Sequence, residues 1–227
     1  MKSTSSGSQH ATCVLAWLLL PPLFASGFVH ARPLLAAHAP LYTIGDTDFR
    51  IPTGFIRPGE EKAGGTLPGI NLYALVPDFL PYSKDTKKEF DRPMSTQVIG
   101  VSIRVQDAVL FGQNFPVLTR TAIYERILRD WSTGKARDVI DKQGPYGLTH
   151  RQLVPSRNDD DLYVGHKADG TLFWVLCSAE RLINPGCRTQ IEYSSHVTVA
   201  YHFSKKLLGD WRTFDERVIS FVHRFQR

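Results

Sequence analysis

The most regular pattern of apolar positions lies near the end of the chain, in SKKLLGDWRTFDERVISFVHRF (204–225). Its apolar residues recur at intervals of three and four, which is the spacing of one helix face. Thr213 and Glu216 fit a capping box, so the helix is predicted to kink or restart near them. One tryptophan and three phenylalanines lie on the apolar face. We therefore expect this helix to pack against a sheet.

The segments before this helix are rich in aromatic and β-branched residues, as strands are. Asp169-Gly170 separates two of them and favours a tight hairpin turn, because this dipeptide tolerates positive φ. In the last segment the apolar residues occupy alternate positions. The predicted strands are DLYVGHK (161–167), TLFWVLC (171–177), CRTQIEY (187–193) and HVTVAYHF (196–203). Strands that follow one another so closely predict a β-meander.

The first half of the chain contains similar segments. LYTIGDTDFRIP (41–52) predicts a strand or hairpin, and GINLYALVPDF (69–79) and TQVIGVSIRVQ (96–106) predict two more strands. RTAIYERILRDW (120–131) has apolar residues at helical spacing, and Gly134 follows as a stop signal. The predicted fold class is α+β, with an antiparallel sheet or meander and two amphipathic helices packed on one face.

A short internal similarity leaves the domain organisation open. ILRDWST (127–133) and LLGDWRT (207–213) share Leu, Asp, Trp and Thr at matching positions. Such self-similarity is typical of duplicated folds, but four matches also arise by chance. The sequence predicts one α+β domain over residues 40–227, or two β-rich halves, 40–140 and 145–227, each closed by a helix.

The first 31 residues have the layout of a secretory signal peptide. Lys2 precedes an apolar run at 11–25, and small residues follow, so cleavage is expected after Gly27 or Ala31. The run is shorter than the roughly 20 residues that span a bilayer, and two prolines interrupt it. We expect a periplasmic protein without an integral membrane segment once the signal peptide is removed.

Two cysteines remain after the signal peptide, since Cys13 leaves with it. Cys177 and Cys187 lie ten positions apart, and an oxidising compartment favours a disulfide between them. A zinc site would need further cysteines or clustered histidines, and a redox site would need a CxxC motif. The sequence therefore predicts a structural disulfide and no metal.

Charge and motifs do not indicate a nucleic-acid partner or a catalytic site. Loss of Lys2 lowers the formal net charge from +5 to +4, and the basic residues are scattered rather than concentrated on one stripe. The G-x-S-x-G and H-E-x-x-H motifs are absent, and NDDD (158–161) lacks the spacing of a calcium loop. We predict no catalytic residue and no cofactor.

Three segments carry a resemblance to a group of known proteins: DFRIPTGFI, NLYALVPDFLPYSKDT and VTVAYHFSKKLLGDWRTFDERVISFVHRF. From about Phe49 to Phe225 the chain resembles small exported proteins of Gram-negative bacteria, of the kind associated with type VI secretion effectors as immunity proteins. The resemblance implies a periplasmic protein that binds and blocks one toxic enzyme. It supplies no site motif.

Three hypotheses about function follow from these observations. The first is an immunity-type inhibitor, a protein-binding module whose partner is a secreted effector enzyme. The others are an exported hydrolase with an unrecognised active site and a structural or accessory protein of the cell envelope. For the first, the candidate site is the loop 178–186, since the disulfide ties its ends and ordering it on binding costs less entropy. The residues proposed to contact the partner are Arg181, Leu182, Ile183 and Asn184.

Overall fold

An eight-stranded antiparallel sheet dominates the computed structural model of the protein. The structure describes residues 39–92, 95–106, 109–110, 113–114, 119–130, 133–154, 160–178 and 184–227, all within one unit of the chain, Leu34–Arg227. The predicted signal peptide, residues 1–31, lies outside the described residues. Among the described residues, no helix has the length and apolar character needed to span a membrane.

The strands in chain order are β1 (Leu41–Ile44), β2 (Thr47–Arg50), β3 (Gly65–Thr66), β4 (Gly69–Leu75), β5 (Val98–Val105), β6 (Val109–Leu110), β7 (Gln113–Asn114), β8 (Asp138–Gln143), β9 (Thr149–Val154), β10 (Asp160–His166), β11 (Leu172–Ser178), β12 (Gly186–Glu192) and β13 (Val197–Ser204). The α-helices are α1 (Lys87–Phe90), α2 (Arg120–Ile127) and α3 (Trp211–His223). Turns of 3-10 helix occupy Thr53–Phe55, Pro145–Gly147 and Lys205–Asp210.

The strand order in the large sheet is β4-β5-β13-β12-β11-β10-β9-β8. The predicted meander of β10 to β13 is present, and strands β4 and β5 from the first half extend the sheet beyond β13. The first two strands of the chain form the predicted hairpin in a separate three-stranded sheet. The predicted α+β class with antiparallel sheets is thus confirmed, whereas the internal duplication stays a prediction.

Helix α3 packs on one face of the large sheet with the apolar face that its spacing predicted. The Trp211 ring lies 5.0 Å from Phe173 of β11, and Phe214 lies 4.8 Å from Phe203 of β13, measured between ring centroids. Both helix residues are almost fully buried. The helix begins at Trp211, directly after the 3-10 turn, so the restart occurs earlier than the predicted capping box.

Helix α2 contacts the opposite face of the sheet, which corrects the prediction that both helices share one face. Its Tyr124 belongs to a second buried cluster with Leu162, Val164 and Trp174. Because neighbouring residues of a strand point to opposite faces, Trp174 faces α2 while Phe173 faces α3. The run Phe173-Trp174-Val175 is buried throughout, as in strands covered on both sides.

Two strands at one end of the sheet were not predicted. Strands β8 and β9 pair from Asp138 with Val154 to Gln143 with Thr149. Every residue of β8 is exposed, so its sequence, DVIDKQ, lacks the regular alternation that marks a half-buried strand. Helix α2 also ends at Ile127, earlier than predicted.

Candidate protein interface

The structure contains a disulfide between Cys177 of β11 and Cys187 of β12. The two residues are directly opposite each other in the antiparallel ladder, and both are buried in the main core. Of the residues proposed to contact a partner, Arg181, Leu182 and Ile183 lie outside the described residues. Asn184 is described, and its side-chain oxygen accepts a hydrogen bond from the Ser204 hydroxyl at 2.9 Å. Partner binding by this loop stays a prediction.

Beyond the disulfide, the side chain of Arg120 joins β12 to α3. Strands β11 and β12 pair at two positions, Cys177 with Cys187 and Leu176 with Arg188. Farther along, the Thr189 hydroxyl donates to the Trp174 carbonyl at 2.6 Å. The Arg120 guanidinium donates to the same hydroxyl oxygen at 3.3 Å and to both oxygens of Asp215 in α3, at 2.6 and 2.8 Å.

The first residue of α2 is therefore held from several sides. The Trp174 indole N–H donates to the Arg120 carbonyl at 2.9 Å, and the Arg120 backbone N–H donates to the Glu192 carboxylate. The Thr119 hydroxyl caps the same helix end by accepting from the Ala122 N–H. Sequence reasoning missed Arg120, because an arginine at a helix start is ordinarily a surface residue.

Asp215 is the centre of this buried ionic cluster. Besides Arg120, its carboxylate accepts from the Tyr201 hydroxyl at 2.6 Å and forms an ion pair with Lys167 at 2.9 Å. Burial raises the pKa of Asp215, but the hydrogen bonds and charge of Arg120 outweigh this effect, so the pKa lies below its ordinary value. The pKa of Tyr201 is raised by burial and by the charge of Asp215.

The composition of the cluster indicates a structural role. A carboxylate whose oxygens accept from three donor side chains is a poor general base, because every donor stabilises its ionised form. Its partners lie on different elements: Arg120 on α2, Tyr201 on β13 and Lys167 directly after β10. The cluster therefore fixes α2 and α3, from opposite faces, to one region of the sheet. Among the described residues, no group of three or more His, Cys, Asp or Glu side chains is arranged to hold a metal ion.

Exposed apolar side chains concentrate at one edge of the large sheet, in the β8–β9 hairpin. Six large hydrophobic residues are exposed among those described, and four of them lie between residues 139 and 154. They are Val139, Ile140, Tyr146 and Val154. Val139 and Ile140 are neighbours in β8 and point to opposite faces, whereas Tyr146 lies in the turn between the two strands.

The connection between β8 and β9 displays an aromatic side chain, and we refer to residues 144–148 as the Tyr146 turn. Tyr146 is 54% exposed and has a φ of 56°. A left-handed conformation costs a non-glycine residue roughly 1–2 kcal/mol. The Trp211 indole N–H donates to the Tyr146 carbonyl at 3.1 Å and so holds this backbone in place. The turn thus presents an exposed tyrosine on a fixed support.

The hairpin is also held by a side-chain ion pair on its α2 side. Arg151 of β9 makes two hydrogen bonds to the Asp141 carboxylate of β8, at 2.8 and 2.7 Å, and a third to the Tyr124 hydroxyl of α2. The hydrogen bonding from Arg151 lowers the pKa of Asp141 below its ordinary value. Sequence analysis missed this surface, because exposure and backbone strain depend on packing. GPYG at 144–147 was the available local signal, since Gly and Pro punctuate turns.

Comparison with known proteins gives one informative match. No family model matches the chain, and no curated protein matches it significantly. Among solved structures, the fold is similar to that of Smlt3025, an immunity protein of the Stenotrophomonas maltophilia type IV secretion system. The TM-score is 0.56 and the sequence identity 16%, and the match covers 83% of this chain and 94% of that one. This likeness establishes a shared fold.

Proposed function

We propose that this protein is an immunity-type binding module, which binds a secreted toxic effector enzyme in the periplasm and blocks it. The observation that carries the proposal is the shared fold over 83% of the chain with an immunity protein of a secretion system. Fold alone does not define function, so the proposal also needs a surface suited to a protein partner.

The Tyr146 turn supplies such a surface. Tyrosine is enriched among the residues that dominate binding energy, because it buries a large ring at a low cost in conformational entropy. The fixed backbone at Tyr146 lowers this cost further, since the turn is already ordered before the partner binds. We propose that Tyr146 is the main anchor for the effector.

The sequence resemblance and the structural neighbour indicate different secretion systems as the source of the effector. The sequence resembles proteins associated with type VI effectors, whereas the structural neighbour belongs to a type IV secretion system. The match to the neighbour spans nearly all of that chain, so we favour a type IV effector. The periplasmic location is supported by the Cys177–Cys187 disulfide, which is typical of oxidising compartments.

The test uses the secreted enzymes encoded next to this gene as candidate effectors. Each is produced in the periplasm of a sensitive bacterium, with or without this protein, and survival is counted. Restored survival together with direct binding of the two purified proteins is expected for one of them. If every neighbouring effector kills equally in the presence of this protein and binds none of it, the proposal is wrong.

Variants of the same protein locate the contact. Tyr146→Ala is expected to weaken binding at least 30-fold, on the order of 2 kcal/mol for a central aromatic anchor. The matched control is Leu80→Ala, which removes a comparably exposed apolar side chain outside the hairpin. A fourfold alanine variant of residues 181–184 tests the disulfide-tied loop. Loss of binding in that variant alone would move the site from the turn to the loop.

A further inference from the structure

The outer edge of β8 has backbone groups that no described strand pairs. The Gly144 N–H donates to the Leu148 carbonyl at 2.9 Å, next to the pair of Gln143 with Thr149. Because the direction of backbone groups alternates along an antiparallel strand, those of Asp138, Ile140 and Lys142 point toward β9. The backbone groups of Val139, Asp141 and Gln143 therefore point outward.

One end of this edge is already occupied. The Arg137 N–H points outward, as the backbone N–H of Val139 does, and it donates to the Leu128 carbonyl at 2.9 Å. Natural edge strands avoid pairing through prolines, bulges or charged side chains, lysine especially. Strand β8 contains no proline, and its ladder with β9 runs without interruption over six pairs.

The side chains on one face of β8 have a charge pattern that is complementary to the same pattern in a second, antiparallel copy of the strand. Asp138, Ile140 and Lys142 point to the same face, in the order negative, apolar, positive. Ile140 is 48% exposed, and the exposed Val154 lies diagonally across the ladder on the same face, opposite Asp138. Two such edges in antiparallel orientation bring opposite charges together at both ends and two isoleucines together at the centre.

We propose that β8 pairs with β8 of a second copy of this chain, antiparallel, with the twofold axis at Ile140. Asp138 of each copy then lies opposite Lys142 of the other, and Ile140 lies opposite its own equivalent. Val139 and Asp141 form the backbone hydrogen bonds with Asp141 and Val139 of the second copy. Ile140 forms a non-hydrogen-bonded pair, in which facing side chains are closest.

Neighbouring registers are less favourable. An axis at Asp141 places this carboxylate opposite its own equivalent, and like charges directly opposite destabilise a sheet. An axis at Val139 requires the Arg137 N–H, which already donates to Leu128. A six-residue edge buries less area than a standard stable interface, so the dimer is expected to be weak, with a dissociation constant in the micromolar range.

The dimer is independent of the proposed function, because Tyr146 lies beyond the paired edge. Sedimentation velocity of the secreted protein without its signal peptide, at increasing concentration and low salt, is expected to show a monomer–dimer equilibrium. Lys142→Asp and Asp138→Lys each place like charges opposite one another and are expected to weaken the dimer at least tenfold. The double variant with both substitutions exchanges the charges and is expected to restore it.

A charge reversal elsewhere on the surface is the matched control. Lys206→Asp has the same change in net charge as Lys142→Asp at an exposed position outside β8, and it is expected to leave the dimer unchanged. Under oxidising conditions, Ile140→Cys is expected to cross-link two copies. Val139→Cys is not expected to do so, because residue 139 lies opposite Asp141 of the second copy. The proposal is overturned by a wild-type protein that stays monomeric at several hundred micromolar, or by a dimer that Lys142→Asp leaves intact.

A third result identifies a different occupant of the edge. If the wild-type protein is monomeric and Lys142→Asp abolishes binding of an effector, then β8 pairs with a strand of the effector and the homodimer is wrong. Circular dichroism spectra of all variants are expected to match the wild type, since every substituted position is exposed.

Discussion

At the scale of single residues, Asp215 holds the buried ionic cluster together. Its carboxylate neutralises Arg120 and Lys167, both of which are largely removed from solvent. Removing one partner of a buried ion pair leaves an uncompensated charge, which costs far more than the pair itself contributes. Asp215 therefore matters because its removal leaves the buried charge of Arg120 without its carboxylate partner.

Asp215→Asn is expected to lower the free energy of unfolding by about 3–5 kcal/mol at pH 7. The pKa of Asp215 is lowered in the folded state, so its stabilising contribution is complete above the unfolded pKa of about 3.9 and is lost as the pH falls through the folded value. The difference between wild type and variant should therefore shrink as the pH falls below about 3.9. Denaturant titrations across this range measure it.

Asp210→Asn is the control for that experiment. Asp210 is exposed and lies 3.5 Å from Arg217, so its loss is expected to cost less than about 1 kcal/mol. A constant difference between wild type and Asp215→Asn over the whole pH range would show that the carboxylate is already protonated or does not hold the cluster.

A glycine at position 146 is expected to reduce binding of the effector without a large change in stability. Tyr146→Gly removes the ring but places the residue best suited to positive φ at this position. We expect the free energy of unfolding to stay within about 1 kcal/mol of the wild type, because relief of backbone strain offsets the flexibility of glycine. Binding of the effector should fall as strongly as in Tyr146→Ala. A large loss of stability would show that the ring itself supports the fold.

At the scale of elements, the disulfide is the most direct constraint on β11 and β12. Cys177 and Cys187 lie ten positions apart, and closing this loop in the unfolded chain accounts for roughly 2.5–3 kcal/mol of stability. The double variant with both cysteines replaced by alanine is expected to lose about this amount in urea titrations. Thiol titration of the unfolded wild type without reductant should detect no free thiol in the secreted protein. Two free thiols would contradict the bridge.

The elements differ in how far the sequence predicts them. Strands β10 to β13 were predictable because each buries at least one face, which imposes a pattern on its residues. Strand β8 buries neither face, so its sequence carries no comparable pattern. The placement of α2 was not predictable either, since it depends on Trp174, and a buried tryptophan does not reveal which face of its strand a helix covers.

The candidate site was less predictable than the fold. The conformation of Tyr146 depends on the indole of Trp211, which lies 65 positions along the chain. Local sequence indicates a turn at GPYG but neither its positive φ nor the exposure of its ring. The loop 178–186 was chosen because its ends are tied, and that reasoning still stands as a separate prediction.

At the scale of the whole molecule, the proposed export determines whether residues 1–31 remain on the protein in the cell. We expect mass spectrometry of the protein from the periplasmic fraction to show a first residue of Phe28 or Arg32, after removal of the signal peptide. The control is a variant with Leu18 and Leu19 both replaced by arginine, which breaks the apolar run and should keep the chain in the cytoplasm. A wild-type protein that keeps Met1 in the cytoplasmic fraction would contradict periplasmic function.

The pairing of β5 with β13 has a consequence for how the protein folds if it is exported as proposed. It joins Val101 to Tyr201, so the centre of the sheet forms between segments far apart in the chain. Such non-local pairing slows folding, because a long loop must close before the contact stabilises it. If the chain emerges from its amino end, β4 and β5 leave the translocation channel first, with the inner edge of β5 unpaired until β13 arrives. During this interval the newly exported chain is open to aggregation, and to binding by periplasmic chaperones.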